Sequence, residues 1–379
     1  MAMREDGVVG GGRAGAGAAS DEHAVAEGTG LSGPARGGRS GAGGLAGGCE
    51  SVVAGAATTG APTGLASDAG RAAAPGLVSG DRGVGASRPA GGCGRVVAGG
   101  LGITCREAAG APTGLAVVYL HGGGFLYGER DDLPAPYVRQ ITEAGHALVT
   151  LDYPLAPECP LPEIIDAAWK GLGSVVREVL PELDCTSYVL FGRSAGGYLA
   201  LALAARAVRE GGDAVPAPVA IWDFYGYHDL TEAFVSEPSP HYRAMPEVGR
   251  AVADRLAGEP GSSAGGGPYV LTGPKATRFG LYVHARQSGR WLELLGIDEH
   301  AAVELSLSHA DIARLPPVFI AASTGDADVP LGVSKRLARA APRARMHQVY
   351  YLEHDFDRDT GNPAGREAYA AALTFTAEL

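Results

Sequence analysis

Short apolar runs alternate with longer amphipathic stretches from about residue 95 to the end of the chain. Strands are predicted at 115–120, 146–152, 187–192, 217–224, 317–323 and 346–352. Between the first three of these, the spacing of apolar residues predicts helices within 131–145 and 162–180. Alternation of this kind is typical of a parallel sheet whose two faces are both covered by helices, so the predicted fold class is α/β.

The alternation lapses between residue 225 and about residue 313. This stretch includes the glycine-rich sequence "GEPGSSAGGGPYVLTGP" at 258–274, and a buried-strand pattern returns only at "PPVFIAAS". An insertion of this size after a strand is typical of a cap that covers a site at the carboxyl edge of the sheet. We therefore expect residues 225–313 to form a cap insertion.

The beginning of the chain has a different composition. Residues 1–118 contain no Phe, Tyr or Trp, and the first part of this stretch is dominated by Gly and Ala. Such a composition offers too little apolar surface to offset the conformational entropy that ordering costs. We predict that residues 1–94 are a disordered, low-complexity segment and that residues 95–379 form the folded domain.

Charge and composition narrow the classes of function. The formal net charge is −11 at pH 7, with Lys and Arg scattered along the chain, which argues against a nucleic-acid partner. No apolar run reaches the length of about 18 residues needed to span a membrane, and the first residues lack the apolar core of a signal peptide. The five cysteines include no CxxC pair, which favours reduced thiols over a disulfide framework or a zinc site. A soluble, cytoplasmic protein is predicted.

A serine stands at a predicted junction of strand and helix. The sequence Gly192-Arg193-Ser194-Ala195-Gly196 matches G-x-S-x-G, between the strand at 187–192 and an alanine-rich helical segment. A sharp turn of this kind holds its central residue in a strained backbone conformation and leaves no room for side chains at the two flanking glycines. The hydroxyl of Ser194 would then project above the sheet, and the amide of Ala195 at the helix start would be free to stabilise an oxyanion.

A second glycine-rich turn follows the first strong strand, in "YLHGGGFLYG" at 119–128. Consecutive glycines allow backbone amides to approach a substrate without obstruction by side chains. We predict that Gly122 and Gly123 donate to the oxyanion together with Ala195.

A serine nucleophile needs a base, and the base needs an acid that orients it. His354 follows the last predicted strand, whereas the other histidines of the second half lie in a strand or in the insertion and its edges. Asp326 and Asp328 follow the strand at 317–323. Because Pro330 suits a first helical turn, Asp328 stands where a helix N-cap is expected, which favours Asp326 as the acid while Asp328 remains the alternative.

Four ordered motifs resemble one known family. "HGGGF", "DYPLAPE" at 152–158, "GRSAGG" and the "HDF" near the end are similar to those of the α/β-hydrolases, in the branch of hormone-sensitive-lipase-like and bacterial carboxylesterases. The resemblance implies a mostly parallel, eight-stranded sheet and a catalytic triad of Ser194, Asp326 and His354. It further implies hydrolysis of carboxylic esters, often with short acyl chains, and no cofactor or metal.

Some positions depart from the pattern of that family. Arg193 stands where Asp is common, Pro154 replaces the usual Arg, and "DADVP" replaces the usual "DPLRDE". Two interpretations of Arg193 remain open: an ion pair with Glu158 or another acid, or binding of an anionic group of the substrate. The residues Asp152, Tyr153 and Glu158 are expected to brace the loop below the oxyanion glycines. The aromatic and aliphatic residues of 278–297 are expected to pack on the sheet or line an acyl pocket.

These observations predict a serine esterase that acts on a small-molecule ester through an acyl-enzyme. The alternatives are an amide or peptide hydrolase or a lyase on the same fold, and a small-molecule binding protein that has lost catalysis. The presence of His354 favours an enzyme over the binding protein. The predicted partner is the substrate alone, with homo-oligomerisation left open.

Overall fold

The structure is a computed structural model, and it describes residues 93–210, 212, 215–257 and 269–379. The segment predicted to be disordered is 1–94, and its residues 1–92 lie outside the described residues. The predicted boundary between residues 94 and 95 falls inside the first described strand, Cys93–Val96.

Eight strands form one sheet in the order β1-β2-β4-β3-β5-β6-β7-β8. Strands β3 to β8 are parallel to one another, whereas β1 pairs with β2 and β2 with β4 in antiparallel fashion. The expectation of a mostly parallel, eight-stranded sheet is therefore confirmed. The strands are β1 Cys93–Val96, β2 Gly102–Arg106, β3 Leu115–Leu120, β4 Ala147–Leu151, β5 Ser187–Arg193, β6 Ala220–Phe224, β7 Val318–Ser323 and β8 Ala344–Val349.

Each of the six predicted strands overlaps one of β3 to β8. The sequence analysis missed β1 and β2, which lie at one edge of the sheet and follow the antiparallel direction. Strand β1 is short and mostly exposed, and its Val96 is 70% exposed. Because it lacks a continuous apolar run, nothing in its pattern distinguishes it from a loop.

Helices cover both faces of the sheet, as predicted. Helix α2 continues through a π-helical turn at Val175–Val179 into α3, so the segment predicted at 162–180 is one irregular rod. The helices flanking the strands are α1 Ala135–Glu143, α2 Leu161–Ser174, α3 Leu180–Glu182, α4 Ala195–Glu210, α12 Leu331–Ala340 and α13 Pro363–Ala377.

The alternation of side chains along each central strand divides the core into two layers. On one face, Val118 and Leu190 pack with residues of α2 and α4, and on the other face Phe191 packs with residues of α1 and α13. Strand β3 and the middle of β5, Tyr188–Phe191, are continuous apolar runs because both of their faces are buried in this way. The sheet is thus a rigid base from which loops emerge at its carboxyl edge.

The stretch between β6 and β7 holds the remaining helices of the described chain. They are α5 Ala233–Ser236, α6 Pro240–Arg243, α7 Arg250–Leu256, α8 Lys275–Ser288, α9 Trp291–Leu294, α10 Glu299–Leu305 and α11 His309–Ile312. Below we call residues 225–313 the insertion. Within the described ranges, no helix is both long and apolar enough to cross a membrane.

Candidate active site

Ser194 lies in the sharp turn between β5 and α4. Its backbone φ is +53°, a strained value for a residue other than glycine, and its amide donates to the carbonyl of Phe224 at 2.8 Å. A Cβ atom at Gly192 would lie 1.9 Å from the carbonyl oxygen of Gly196, and one at Gly196 would lie 2.2 Å from that of Leu120. The turn therefore requires both flanking glycines, as the G-x-S-x-G spacing predicts.

His354 and Asp326 meet Ser194 at the carboxyl edge of the sheet. The Nε2 atom of His354 lies 2.9 Å from Oγ of Ser194, and its Nδ1 atom lies 2.7 Å from Oδ2 of Asp326. The other oxygen of Asp326 accepts the backbone amides of the two residues at 328 and 329, at 2.9 Å and 2.8 Å, which fixes the orientation of the carboxylate. Three side chains that follow three different strands are thus brought into one hydrogen-bonded chain.

Asp328 does not have the capping role that the sequence suggested. Pro330 occupies the N-cap position of α12, and it is Asp326 that accepts the free amides of this turn. The prediction was wrong because the carboxylate of Asp328 has stronger partners in the insertion. Its Oδ2 atom accepts the hydroxyls of Tyr242 at 3.0 Å and Tyr282 at 2.9 Å, and it lies 3.9 Å from Nε2 of His354.

The loop that carries the predicted oxyanion donors lies against the serine turn. A Cβ atom at Gly122 would lie 3.0 Å from the carbonyl oxygen of Arg193 and 3.4 Å from Cβ of Ser194. Gly123 has φ +107°, and a Cβ atom there would lie 1.9 Å from the carbonyl oxygen of Tyr127. A side chain is therefore excluded at Gly123, and one at Gly122 would be tightly crowded by the serine turn. Ala195 is the first residue of α4 and directly follows Ser194.

Two hydrogen bonds hold this glycine loop from below and above. The hydroxyl of Tyr153 donates to the carbonyl of His121 at 2.7 Å, and the two rings stack with centroids 4.1 Å apart. From the insertion, the indole N–H of Trp291 donates to the carbonyl of Gly124 at 3.0 Å. The loop is thus fixed in place by buried aromatic side chains.

With this geometry established, the chain can be compared with known proteins. A family model described as "alpha/beta hydrolase fold" matches residues 117–254. A solved α/β-hydrolase superfamily protein from Enterococcus faecalis is 29% identical with a TM-score of 0.66, and the match covers 76% of this chain and 99% of that one. This chain has the α/β-hydrolase fold.

Curated relatives of this α/β-hydrolase match it over shorter stretches. Esterase LipI of Mycobacterium tuberculosis is 35% identical over 128 residues, which is 32% of this chain and 38% of that protein. A non-reducing polyketide synthase, adrD of Penicillium rubens, is 34% identical over 156 residues, or 37% of this chain and 6% of the synthase. The chain therefore spans less than two thirds of the length of either relative.

Arg193 of the α/β-hydrolase points into the core beneath the serine turn. Its guanidinium lies 3.4 Å from the Asp357 carboxylate and 3.8 Å from that of Asp132, and it donates to the hydroxyl of Tyr225 at 2.7 Å. The expected ion pair with an acid is present, but the expected partner Glu158 was wrong. Glu158 instead pairs with Arg278 of α8, at 2.8 Å.

Asp152, Tyr153 and Glu158 were all expected to brace the glycine loop. The structure gives each of them different contacts. Tyr153 contacts that loop directly, through the carbonyl and the ring of His121. Glu158 pairs with Arg278, which also donates to the carbonyls of Leu126 and Ala156 at 2.9 Å. Through Arg278, Glu158 supports the backbone just after the three glycines. Asp152 lies under β2, where it accepts the amide of Gly102 at 3.2 Å.

The environment of His354 favours a protonated imidazole. Burial disfavours the charged form, but the carboxylates of Asp326, then Asp328 and Asp355, outweigh it and raise the pKa of His354 from 6.5 to about 9. Asp355 is affected in the opposite sense. Although burial opposes ionisation, the nearby charges of His354, Arg193 and Arg358 hold the pKa of Asp355 below its usual range. An imidazolium formed by proton transfer from Ser194 would therefore be well stabilised.

The insertion supplies the aromatic wall of the site. Tyr282 and Trp291 meet edge to face with centroids 5.3 Å apart, and both approach Gly124 of the glycine loop. These are residues of the 278–297 segment, and they pack against the glycine loop. Among the described residues, no cluster of His, Cys, Asp and Glu is arranged to hold a metal ion.

The sequence analysis missed the polar residues of this wall. Tyr242, Tyr282 and Arg286 converge on Asp328 from α6 and α8, and Arg286 lies 3.1 Å from Oδ1 of Asp328. They are 42 to 86 positions distant from Asp328 in the chain. No local spacing connects them, and only the burial of so many polar side chains in the insertion could have indicated such a cluster.

Proposed function

We propose that this α/β-hydrolase is a serine esterase that cleaves small carboxylic esters through an acyl-enzyme. The observation that carries the proposal is the unbroken hydrogen-bonded chain from the hydroxyl of Ser194 through the imidazole of His354 to the carboxylate of Asp326. A serine hydroxyl is a poor nucleophile unless a base accepts its proton, and this geometry supplies the base and the acid that orients it.

The steps of the reaction follow from these contacts. The Nδ1–H of His354 donates to Asp326, which leaves Nε2 as the acceptor of the Ser194 proton. The serine oxygen attacks the acyl carbon, and the imidazolium then gives its proton to the departing alkoxide. Water then gives a proton to Nε2 and its oxygen attacks the acyl carbon. The bond from that carbon to Oγ of Ser194 breaks, the imidazolium returns its proton to Oγ, and the carboxylic acid is released.

The tetrahedral oxyanion needs donors that are in place before the reaction. We assign this role to the amides of Gly122, Gly123 and Ala195, since the glycine loop lies against the serine turn and no side chain intervenes. Loss of one such donor typically costs about 3 kcal/mol of transition-state stabilisation. The rigid aromatic support of the loop keeps the cost of reorganisation low.

The aromatic wall supports a preference for a small acyl group. Trp291 is 1% exposed and Tyr282 is 3% exposed, and both lie against the glycine loop. These rings leave little room for a long acyl chain on that side. The name of the relative esterase LipI is consistent with ester hydrolysis.

Covalent labelling with a fluorophosphonate probe tests the nucleophile. We expect labelling of the intact protein, with the adduct mapped to Ser194, and none of the Ser194→Ala variant. Absence of labelling in folded protein would support a small-molecule binding protein instead. The acyl preference is measured with p-nitrophenyl esters from acetate to palmitate, with kcat/KM expected to fall as the chain lengthens. A p-nitroanilide of the best acid separates esterase from amidase activity.

A further inference from the structure

Asp326 and Asp328 lie on opposite sides of the same imidazole. Asp326 contacts Nδ1 of His354 at 2.7 Å, whereas Oδ2 of Asp328 lies 3.9 Å from Nε2. The turn that produces this arrangement is tight, because Oδ1 of Asp326 accepts the amides at 328 and 329 and so directs the two side chains apart. The orienting role at Nδ1 is filled by Asp326, so the second carboxylate acts on the imidazole only through its charge and makes no hydrogen bond in the reaction described above.

The insertion holds Asp328 firmly in this position. Its oxygens accept the hydroxyls of Tyr242 and Tyr282 and face Arg286 at 3.1 Å. Arg286 also donates to the backbone carbonyl of Asp328 at 3.1 Å. Asp328 is 5% exposed. A side chain with this many buried partners is fixed in space, and the guanidinium of Arg286 faces its carboxylate.

The position of Oδ2 of Asp328 relative to Nε2 of His354 determines which part of the substrate this oxygen contacts. Nε2 must pass its proton to the leaving atom of the substrate, so this atom comes within about 3 Å of Nε2. The atoms attached to the leaving atom must then lie beside Oδ2 of Asp328. A carboxylate can only accept hydrogen bonds. An alkyl group in this place would meet the carboxylate oxygen without a hydrogen bond, whereas an O–H or N–H group would form a charge-assisted hydrogen bond with it.

We propose that Asp328 makes the site selective for esters whose leaving alcohol carries a hydrogen-bond donor, an O–H or N–H, next to the scissile bond. This proposal rests on the proposed esterase function and names its substrate class. Partly acylated polyols have this chemistry. Since Arg286 already neutralises the carboxylate, the site calls for a neutral donor and not for a cationic amine.

A matched pair of acetate esters tests the proposal. 2-Hydroxyethyl acetate and n-propyl acetate have nearly the same size, but only the first has a hydroxyl beside the scissile bond. The measurement is kcat/KM by release of acid in a pH-stat, divided by the rate constant for hydroxide hydrolysis of the same ester to remove intrinsic reactivity. For the unaltered protein we expect a preference of about tenfold to a hundredfold for the hydroxylated ester.

The Asp328→Asn variant keeps the shape of the side chain and removes its charge. We expect its preference to fall to about twofold or less, chiefly through slower hydrolysis of the hydroxylated ester. A residue with a merely structural role would lower both rates by the same factor and leave their ratio intact. Tyr242→Phe is the matched control, because it removes one donor to Asp328 but retains the carboxylate, and its preference should persist.

The possible failures are distinguishable. Hydrolysis of both acetates without a preference, or an unchanged ratio in folded Asp328→Asn, would overturn the role of Asp328 and leave the esterase function standing. If neither acetate nor p-nitrophenyl acetate were cleaved and Ser194 were not labelled, the proposed function itself would fail. Thermal unfolding of each variant shows whether it is folded.

Discussion

Arg193 and Asp357 form a buried ion pair, with Nε of Arg193 3.4 Å from Oδ2 of Asp357. Tyr225 joins them, since its hydroxyl accepts from Arg193 at 2.7 Å and donates to Asp357 at 2.6 Å. Arg193 directly precedes Ser194, and Asp357 follows His354 by three residues. The pair therefore ties the turn that carries the serine to the loop that carries the histidine.

This buried ion pair predicts the result of replacing Arg193 by alanine. The Asp357 carboxylate would remain buried without its cation, so we expect the free energy of unfolding to fall by about 3–5 kcal/mol, measured by urea denaturation. Activity on neutral and on carboxylate-bearing esters should fall by the same factor. Arg250→Ala, which removes two surface ion pairs, with Asp254 and Glu293, is the control and should change little. A selective loss on the carboxylate-bearing ester would instead mean that Arg193 binds an anionic group of the substrate.

The raised pKa of His354 predicts the pH dependence of activity. Only the neutral imidazole can accept the Ser194 proton, so kcat/KM for p-nitrophenyl acetate should rise with pH to a half-maximum near 9. Asp328→Asn removes one of the stabilising carboxylates and should move this midpoint to lower pH. A midpoint near 6.5 in the unaltered protein would contradict the electrostatic effect of the three carboxylates.

Protonation of His354 should have opposite effects on stability and on activity. The protonated ring stabilises the folded protein but cannot accept the Ser194 proton. Because the pKa of His354 is raised on folding from 6.5 to about 9, the protonated ring stabilises the folded protein fully below pH 6.5. This contribution is lost as the pH rises from 6.5 to 9. The difference in Tm between the unaltered protein and His354→Ala should therefore shrink across this interval. A difference that stays constant would show that the ring does not titrate there.

Much of this site could be predicted from local sequence. The residues Ser194, Asp326 and His354 each follow an apolar strand, and parallel strands present their carboxyl ends at one edge, so their convergence follows from the pattern. The partners of Arg193 and Asp328 could not be predicted. Asp357 and Tyr225 reach Arg193 from two other strand ends, and the tyrosines that bind Asp328 come from the insertion, whose path over the sheet no periodicity encodes.

Gly124 joins the glycine loop to the insertion and allows a test of that contact. Its φ is +61°, and a Cβ atom would lie 2.3 Å from Cε2 of Tyr282. Gly124→Ala should therefore displace the loop or Tyr282, and we expect kcat/KM to fall by at least about tenfold, since oxyanion donors tolerate little movement. Gly100→Ala is the matched control, because Gly100 also has positive φ, +77°, but open space around it. Equal activity of the two variants would mean that the loop position does not matter.

The support below the glycine loop can be tested with two buried tyrosines whose hydroxyls each donate to a backbone carbonyl. Tyr153 donates to the carbonyl of His121 at 2.7 Å, and Tyr188 donates to that of Pro216 at 2.6 Å. Each change to phenylalanine leaves a carbonyl without its donor, so each should lower the free energy of unfolding by about 1–3 kcal/mol, measured by urea denaturation.

Their effects on catalysis should differ, because only Tyr153 holds the loop that carries the oxyanion donors. We expect Tyr153→Phe to reduce kcat for p-nitrophenyl acetate by about tenfold with little change in KM, since a displaced amide weakens binding of the transition state more than of the ester. Tyr188→Phe should retain kcat, as its hydroxyl lies at the opposite end of β5 from Ser194. If both variants lost activity in proportion to their loss of stability, Tyr153 would be a structural residue without a specific effect on the loop.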